Sequence, residues 1–254
     1  MRLSVGLALA LCVSAASAHA QGLLSGVDLT TPAFTQADVS RADIEAMIAR
    51  AGGAPLDLGD KSLNKLDLSG LDLAHANLRG ARLNRARLVR TNLSGAVLDQ
   101  VWALKADFSG ADLSGAKMFG TQAMGAKFDG ADLSSARLAG DYSGASFRAA
   151  NFSGADASAD MRNQSMGLMH AIMRSADLSG AKLTKADFSR VDLQFANLSG
   201  ADFSGADLFR ADASGADLRG ARFEGAKTQE LDIASARIDR DIAGAVNADR
   251  ARKD

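Results

Sequence analysis

Few residues of the kinds that carry out catalysis occur in this sequence. It contains three histidines and one cysteine in 254 residues. Cys12 and His19 both lie in the N-terminal stretch, while His75 and His170 are far apart in the chain. No nucleophile motif or phosphate-binding glycine loop accompanies them. The sequence therefore favours a non-enzymatic protein, and it predicts no cofactor.

One segment, MRNQSMGLMHAIM, concentrates methionine around a histidine. Thioether and imidazole groups are ligands that suit Cu(I), so a Cu(I)-binding protein is one alternative function. The register of the repeat described below turns Met166 and Met173 inward, which leaves Met161, Met169 and His170 as the candidate ligands. Methionines that only fill a core are the competing interpretation.

A second candidate is a band of five arginines with no acidic residue between Asp72 and Asp99. It consists of Arg79, Arg82, Arg85, Arg87 and Arg90. These residues could bind an anion, but they fall at different corners of the repeat, so a solvated collar around the protein is the alternative. The formal net charge of −1 provides no bulk field that would hold nucleic acid.

A third candidate consists of large apolar residues at positions that the repeat turns outward. They are Val97, Trp102, Leu104, Phe119 and Met124. Leu104 and Met124 are expected to stack directly, and the five residues fall on two adjoining faces. A contiguous apolar patch on an otherwise polar surface predicts a protein-binding site or a homodimer contact. Coverage of this patch by the N-terminal helix or the C-terminal tail is the alternative.

All of these positions depend on a repeat with a period of five. Leu, Phe or Met recurs at every fifth residue over Leu58–Leu138, except at Ala103 and Ala123, and again over Leu168–Ile238 with two interruptions. A small residue, usually alanine, stands two positions before each of these apolar anchors. Asp or Asn often precedes the anchor, and Ser and Gly often follow it.

A period of five matches neither an α-helix nor a β-strand, so the chain must turn in every unit. Anchors and small residues that both point inward predict a four-sided coil. Glycine is expected at corners where a side chain would obstruct the turn. Asp, Asn and Ser suit the turns because their short side chains bond nearby backbone groups. Successive coils would then stack through β-type backbone hydrogen bonds.

The units ADFSGADLSGAKM and NLSGADFSGADLFRADASGADLRGARF closely resemble the pentapeptide-repeat family. The resemblance implies an all-β fold, a right-handed quadrilateral β-helix with four units per coil. Some members of this family mimic duplex DNA and bind DNA gyrase, which confers quinolone resistance and gives a further alternative function. Five basic residues stand here where the repeat expects Asp or Asn, which argues against an acidic mimic: Arg82, Arg87, Lys117, Lys127 and Arg137.

Four units per coil bring residues twenty apart above one another. This spacing stacks Phe108 on Phe128 and nearly on Phe147, and it expects Phe188 two layers further along the same column. The register slips between Leu138 and Leu168, because Tyr142 to Ala157 keep the period but lie one residue early. An insertion that restores the register is therefore predicted near residues 158–167.

The chain divides into four predicted segments. Residues 1–20 read as a signal peptide, with Arg2, an apolar stretch and the small residues Ala18-His19-Ala20 before the cleavage position. Residues 21–55 are expected to form a capping segment with a helix that starts at Ser40. Residues 56–240 form the β-helix, and residues 241–254 form a C-terminal cap or tail.

Cleavage after Ala20 would give a periplasmic or secreted protein without cysteine and without a membrane-spanning segment. The sequence as a whole predicts an exported, non-enzymatic scaffold that presents a rigid surface to a protein partner, not to nucleic acid. The identity of that partner is not encoded in any motif of the chain.

Overall fold

A computed structural model describes residues 28–159, 169–239, 244–247 and 251. Two helices come first, α1 (Pro32–Thr35) and α2 (Arg41–Ala51), and two strands lie within the repeat, β1 (Lys117–Gln122) and β2 (Arg137–Asp141). Most of the repeat pairs through single residues between turns instead of through longer strands. None of the helices in the described part of the chain has the length and apolarity to cross a bilayer.

Parallel pairing joins each coil to the next, and most partners are twenty residues apart, as Asp57 and Asn77 are. The pairs form four ladders, which define four faces. Face A runs through Asp57, Asn77, Val97, Lys117, Arg137, Asp156, Asp187, Asp207, Lys227 and Val246. Face B runs through Ser62, Arg82, Trp102, Gln122, Asp141, Ile172, Asp192, Asp212 and Asp232.

The other two ladders close the coil. Face C runs through Asp67, Arg87, Asp107, Lys127, Ser146, Asp177, Asn197, Asp217 and Arg237. Face D runs through Asp72, Asn92, Asp112, Asp132, Asn151, Lys182, Asp202 and Arg222. We number the coils from the residue that starts each one on face A, so coils 1 to 4 start at Asp57, Asn77, Val97 and Lys117. The predicted four units per coil are confirmed.

Anchors and small residues fill the interior as one continuous cluster of buried side chains. Phe108 stacks on Phe128 with ring centroids 4.8 Å apart, and Phe128 stacks on Phe147 at 4.7 Å. These two contacts confirm the predicted aromatic column on face C. The expectation for Phe188 is wrong, because this residue is an anchor of face A and packs edge-on against Phe152 at 5.7 Å.

The polar residues of the repeat hold the turns. The carboxylate of Asp107 accepts a hydrogen bond from the backbone N–H of Ser109 at 3.0 Å, and Asp132 accepts one from Ser134 at 2.9 Å. This confirms that the aspartates serve the backbone. The corner that follows needs a positive φ, which is 64° at Gly130 and 56° at Lys105. Backbone conformation, more than obstruction by a side chain, therefore explains glycine at the corners.

The early register arises in β2, where one residue is missing from the coil. Phe119 pairs with Ala139 and Thr121 pairs with Gly140, so Gly120 bulges out without a partner. Gly140 is buried against the backbone of Thr121, and a Cβ at this position would lie 2.2 Å from the Thr121 carbonyl oxygen. The absence of a side chain at Gly140 therefore allows the shortened coil to stay paired.

The predicted insertion restores the register after Ala157. Asp141 pairs with Ile172, thirty-one residues later, and the N–H of Ala171 donates to the carbonyl of Ala157 at 3.1 Å. Ala157 and the buried Met173 therefore belong to successive faces. Leu168, which the repeat period predicts to be an inward anchor, lies outside the described residues.

The chain before coil 1 contacts it through α2. Ser40 and Asp43 form a capping box at the start of α2, and Gly52 ends this helix with a φ of 58°. Ile44 of α2 is fully buried in the core, and Arg41 donates to the carbonyl of Asp67 at 2.9 Å. At the other end, Val246 pairs with Lys227 and extends face A. Residues 241–243 of the predicted C-terminal segment lie outside the described residues.

Replacement of Gly140 by alanine should destabilise the protein although its φ is not positive. The added methyl group meets backbone atoms of Thr121 that have no room to move, so we expect a loss of about 3 kcal/mol in the free energy of unfolding. Gly144→Ala is the matched control, because it has a φ of +65° and open space, and should cost only about 1 kcal/mol. Urea unfolding measures both; equal losses would contradict the packing argument.

Candidate protein-binding site

The predicted apolar residues come together on two adjoining faces of coils 3 and 4. Val97 lies on the face A ladder and Trp102 on the face B ladder of coil 3. Leu104 and Met124 follow the anchors of face B, and Phe119 follows the anchor of face A. All five side chains are half-buried. We call these five residues the apolar patch.

Backbone hydrogen bonds fix the spacing within the apolar patch. The N–H of Lys105 donates to the carbonyl of Met124 at 3.1 Å, which places Leu104 directly below Met124. On face A the N–H of Phe119 donates to the carboxylate of Asp99 at 3.0 Å. The same carboxylate accepts a hydrogen bond from Arg79, also at 3.0 Å. The patch is therefore held by main-chain contacts that leave its side chains at the surface.

Trp102 is covered by a residue that the sequence did not single out. The ring of Phe34, in α1, packs against the indole edge-to-face with centroids 5.1 Å apart and planes at 69°. The covering residue belongs to neither α2 nor the C-terminal tail. No periodic signal marks Phe34, because residues 28–38 precede the repeat. Val97, Leu104, Phe119 and Met124 remain as the part of the apolar patch beyond this contact.

Met169, at the C-terminal end of the insertion, lies beside the apolar patch at the corner between faces A and B. The Met169 methyl group lies 3.6 Å from the position of a Cβ built on Gly120. Gln122 lies next to this corner and is only 8% exposed. Its Nε2 donates to the carbonyl of Gly120 at 3.4 Å, and its Oε1 has no hydrogen-bond partner. Face B is therefore more enclosed at coil 4 than the repeat alone would make it.

The arginine band spreads over three faces. Arg79 on face A pairs with Asp99, and Arg87 on face C pairs with Asp67 at 3.3 Å. Arg82 on face B has a buried Nε without a hydrogen-bond partner. Arg85 and Arg90 are exposed at corners with φ of 57° and 55°. This arrangement does not bring the five guanidinium groups to one anion site.

The candidate metal ligands are only partly described. Met169 and His170 are half-buried at the end of the insertion, and Met161 lies outside the described residues. Met173 is fully buried in the core. Within the described ranges, no group of three or more His, Cys, Asp and Glu residues could hold a metal ion.

Two surface aromatics were missed by the sequence analysis. Phe195 is 67% exposed at the corner that ends face B, with a φ of 58°. Phe209 is half-buried between Arg190 and Arg210, whose guanidinium carbons lie 5.7 and 4.9 Å from its ring centroid. Counting two residues on from the Leu193 anchor would have placed Phe195 outside. Among the described residues, Ile238 and Val246 are also exposed large apolar side chains.

Comparison with known families agrees with this architecture. A model described as pentapeptide repeats matches in eight copies, over residues 62–101, 105–140, 168–190 and 186–225. These matches cover more than half of the chain. The chain belongs to the pentapeptide-repeat family. Membership in this family implies a right-handed quadrilateral β-helix.

Solved structures of other pentapeptide-repeat proteins resemble this one. QnrB1, described as a plasmid-mediated fluoroquinolone resistance protein, is 20% identical over 79% of this chain and 92% of its own, with a TM-score of 0.56. HetL from the cyanobacterium Nostoc, described as involved in heterocyst differentiation regulation, is 27% identical over 84% of this chain and 94% of its own, with a TM-score of 0.45. A search of curated protein sequences finds no match.

Exchange of the outward apolar residues should leave this pentapeptide-repeat protein folded. The double variant Leu104→Ser/Met124→Ser removes half-buried side chains, so we expect less than about 1 kcal/mol of lost stability. Leu113→Ser is the inward control, because this fully buried anchor should cost about 4 kcal/mol. Urea unfolding followed by circular dichroism measures both. A large loss in the double variant would show that these side chains serve packing.

Proposed function

We propose that this pentapeptide-repeat protein is a non-enzymatic, exported scaffold that binds another protein through the apolar patch. The observation that carries the proposal is the continuous run of half-buried apolar side chains over two faces of a largely polar rod. Large apolar and aromatic residues that cluster at a surface are the usual energetic centre of protein interfaces. Leu104, Phe119 and Met124 supply such a centre.

The rigidity of the scaffold favours this function. Each coil pairs with the next along four ladders, so the patch side chains are held before any partner arrives. A surface that is already ordered loses little conformational entropy on binding. We further propose that α2 caps coil 1, since Ile44 is buried in the core and Arg41 bonds the backbone of the first coil. Such a cap keeps the open end from pairing with other chains.

A DNA-mimic binder of gyrase is the alternative that the family resemblance offers. The likeness to QnrB1 concerns the fold alone, at 20% identity. A mimic of duplex DNA needs continuous negative charge, whereas the face A ladder reads Val97, Lys117 and Arg137 in coils 3 to 5. The proposed export would also separate the protein from gyrase. These features favour the scaffold.

Export can be tested by the compartment in which the protein accumulates and by the identity of its first residue. Expression of the full sequence with a C-terminal tag should yield a periplasmic or secreted form whose first residue is Gln21, because the signal peptide is expected to be removed after Ala20. Cell fractionation and N-terminal mass spectrometry check this. A cytosolic protein with its first twenty residues intact would contradict export and favour the gyrase alternative.

Partner binding is tested by crosslinking in cells followed by mass spectrometry. The partner retained by the wild-type protein should bind the Leu104→Ser/Met124→Ser variant roughly tenfold more weakly, because loss of interface centres costs 1–2 kcal/mol or more. Trp102→Ala should weaken retention in the same direction. Ser114→Ala on face D is the control and should change nothing. Unchanged retention and an unchanged oligomeric state in both patch variants would refute the patch as a partner or homodimer contact.

A further inference from the structure

Residues 28–38, which we call the strap, run along face B outside the coils. Ala37 pairs antiparallel with Leu63 in coil 1. The N–H of Asp38 donates to the carbonyl of Ser62 at 2.8 Å, and the Asp38 carboxylate accepts from the Ser62 N–H at 2.7 Å. The strap is thus joined to the edge of face B by strand-like contacts.

The buried side-chain amide of Asn64 forms hydrogen bonds to the main chain of the strap. Nδ2 of Asn64 donates to the carbonyls of Ala33 and Gln36, both at 3.0 Å, and the Ser62 hydroxyl also donates to Gln36. The orientation of Asn64 is fixed from below, because its Oδ1 accepts from the N–H and the side-chain amide of Asn84 at 2.9 and 3.0 Å. Coils 1 and 2 therefore hold the Asn64 amide in a fixed orientation, from which it can donate hydrogen bonds to the backbone carbonyls of a bound segment.

The Phe34 side chain adds to these hydrogen bonds. Phe34 packs edge-to-face on Trp102 in coil 3. The groove therefore recognises a short segment with an aromatic side chain three residues before a strand-pairing residue, here Phe34 and Ala37. No residue of the strap is buried, so its side chains other than those of Phe34 and Asp38 contribute little. Any segment with this pattern could make the same contacts.

The strap is separable from the cap that follows it. α2 is anchored in the core by the fully buried Ile44, whereas the strap is held by hydrogen bonds to Ser62 and Asn64 and by one aromatic contact. Ser62 and Asn64 are each 2% exposed under the strap, and water can satisfy them once the strap leaves. Removal of the strap would therefore expose the groove without unfolding coil 1.

We propose that face B of coils 1 to 3 is a docking groove for a partner segment of this pattern, and that the strap occupies it as a displaceable ligand in cis. This inference rests on the proposed protein-binding function and specifies the kind of segment that the partner offers. Departure of the strap uncovers Trp102 beside Leu104 and Met124, so the groove and the apolar patch become one surface. Tethering gives the strap a local concentration of about millimolar, which a free segment must overcome.

The single tryptophan of the chain reports the state of the groove. In the full-length protein, Phe34→Ala should shift Trp102 emission to longer wavelength, because the indole gains water. Titration with the peptide DLTTPAFTQADV, which repeats residues 28–39, should reverse the shift. The same peptide with alanine in place of phenylalanine should bind roughly tenfold more weakly, because the aromatic contact is lost. In the wild-type protein, whose Phe34 already covers Trp102, the same peptide should leave the emission unchanged.

Two further variants separate recognition from folding. Asn64→Ala, added to Phe34→Ala, should abolish peptide binding while circular dichroism stays unchanged. Met124→Ser, added in the same way, should leave peptide binding intact. Failure of millimolar peptide to restore the emission, or equal binding by the alanine peptide, would overturn the groove. Partner retention by the Leu104→Ser/Met124→Ser variant tests the proposed function separately, so the two can fail independently.

Discussion

The structure depends on backbone hydrogen bonds between residues one coil apart. An isolated coil is not stable, because burial of one apolar anchor, worth about 1.5 to 3 kcal/mol, does not offset the ordering of a five-residue unit at about 1 to 2 kcal/mol per residue. Pairing with the coils above and below satisfies the backbone of each face and closes the anchors into one column. The rod is therefore stable only as a stack, and the position of each coil is set by its hydrogen bonds to the neighbouring coils.

This constraint divides the sequence into two kinds of positions. The anchor and the small residue two places before it face the interior, and their identities are dictated by volume, as the stacked rings of Phe108, Phe128 and Phe147 show. The other three positions of each unit face outward. The backbone requires of them only a side chain that can form a turn or a residue that can adopt a positive φ. Surface chemistry can therefore vary without any change in the fold, which is why Trp102 and Lys117 can occupy the same kind of position as Asp57.

The period of five was sufficient to predict the architecture, because it encodes a local geometry that repeats. It also placed the apolar patch on two adjoining faces. It could not place Phe188, since eleven residues inserted after Ala157 move every later anchor to another face, and spacing alone does not say how many of them leave the coil. The period could not predict the contact of Phe34 with Trp102 either, because Phe34 belongs to a segment that has no period.

The backbone pairing on either side of the insertion shows how the chain of such a rod can be lengthened. The ladder re-forms directly after the excursion, with the Ala171 amide on the Ala157 carbonyl. Loss of one residue within a face, by contrast, required a bulge at Gly120 and a bare backbone at Gly140. The corner after Ala157 therefore accepts extra chain without loss of pairing, whereas the shortened face needs a bulge and a glycine. The corner after Ala157 is a natural attachment point, where evolution or an engineer can graft a foreign loop without disturbing the stack.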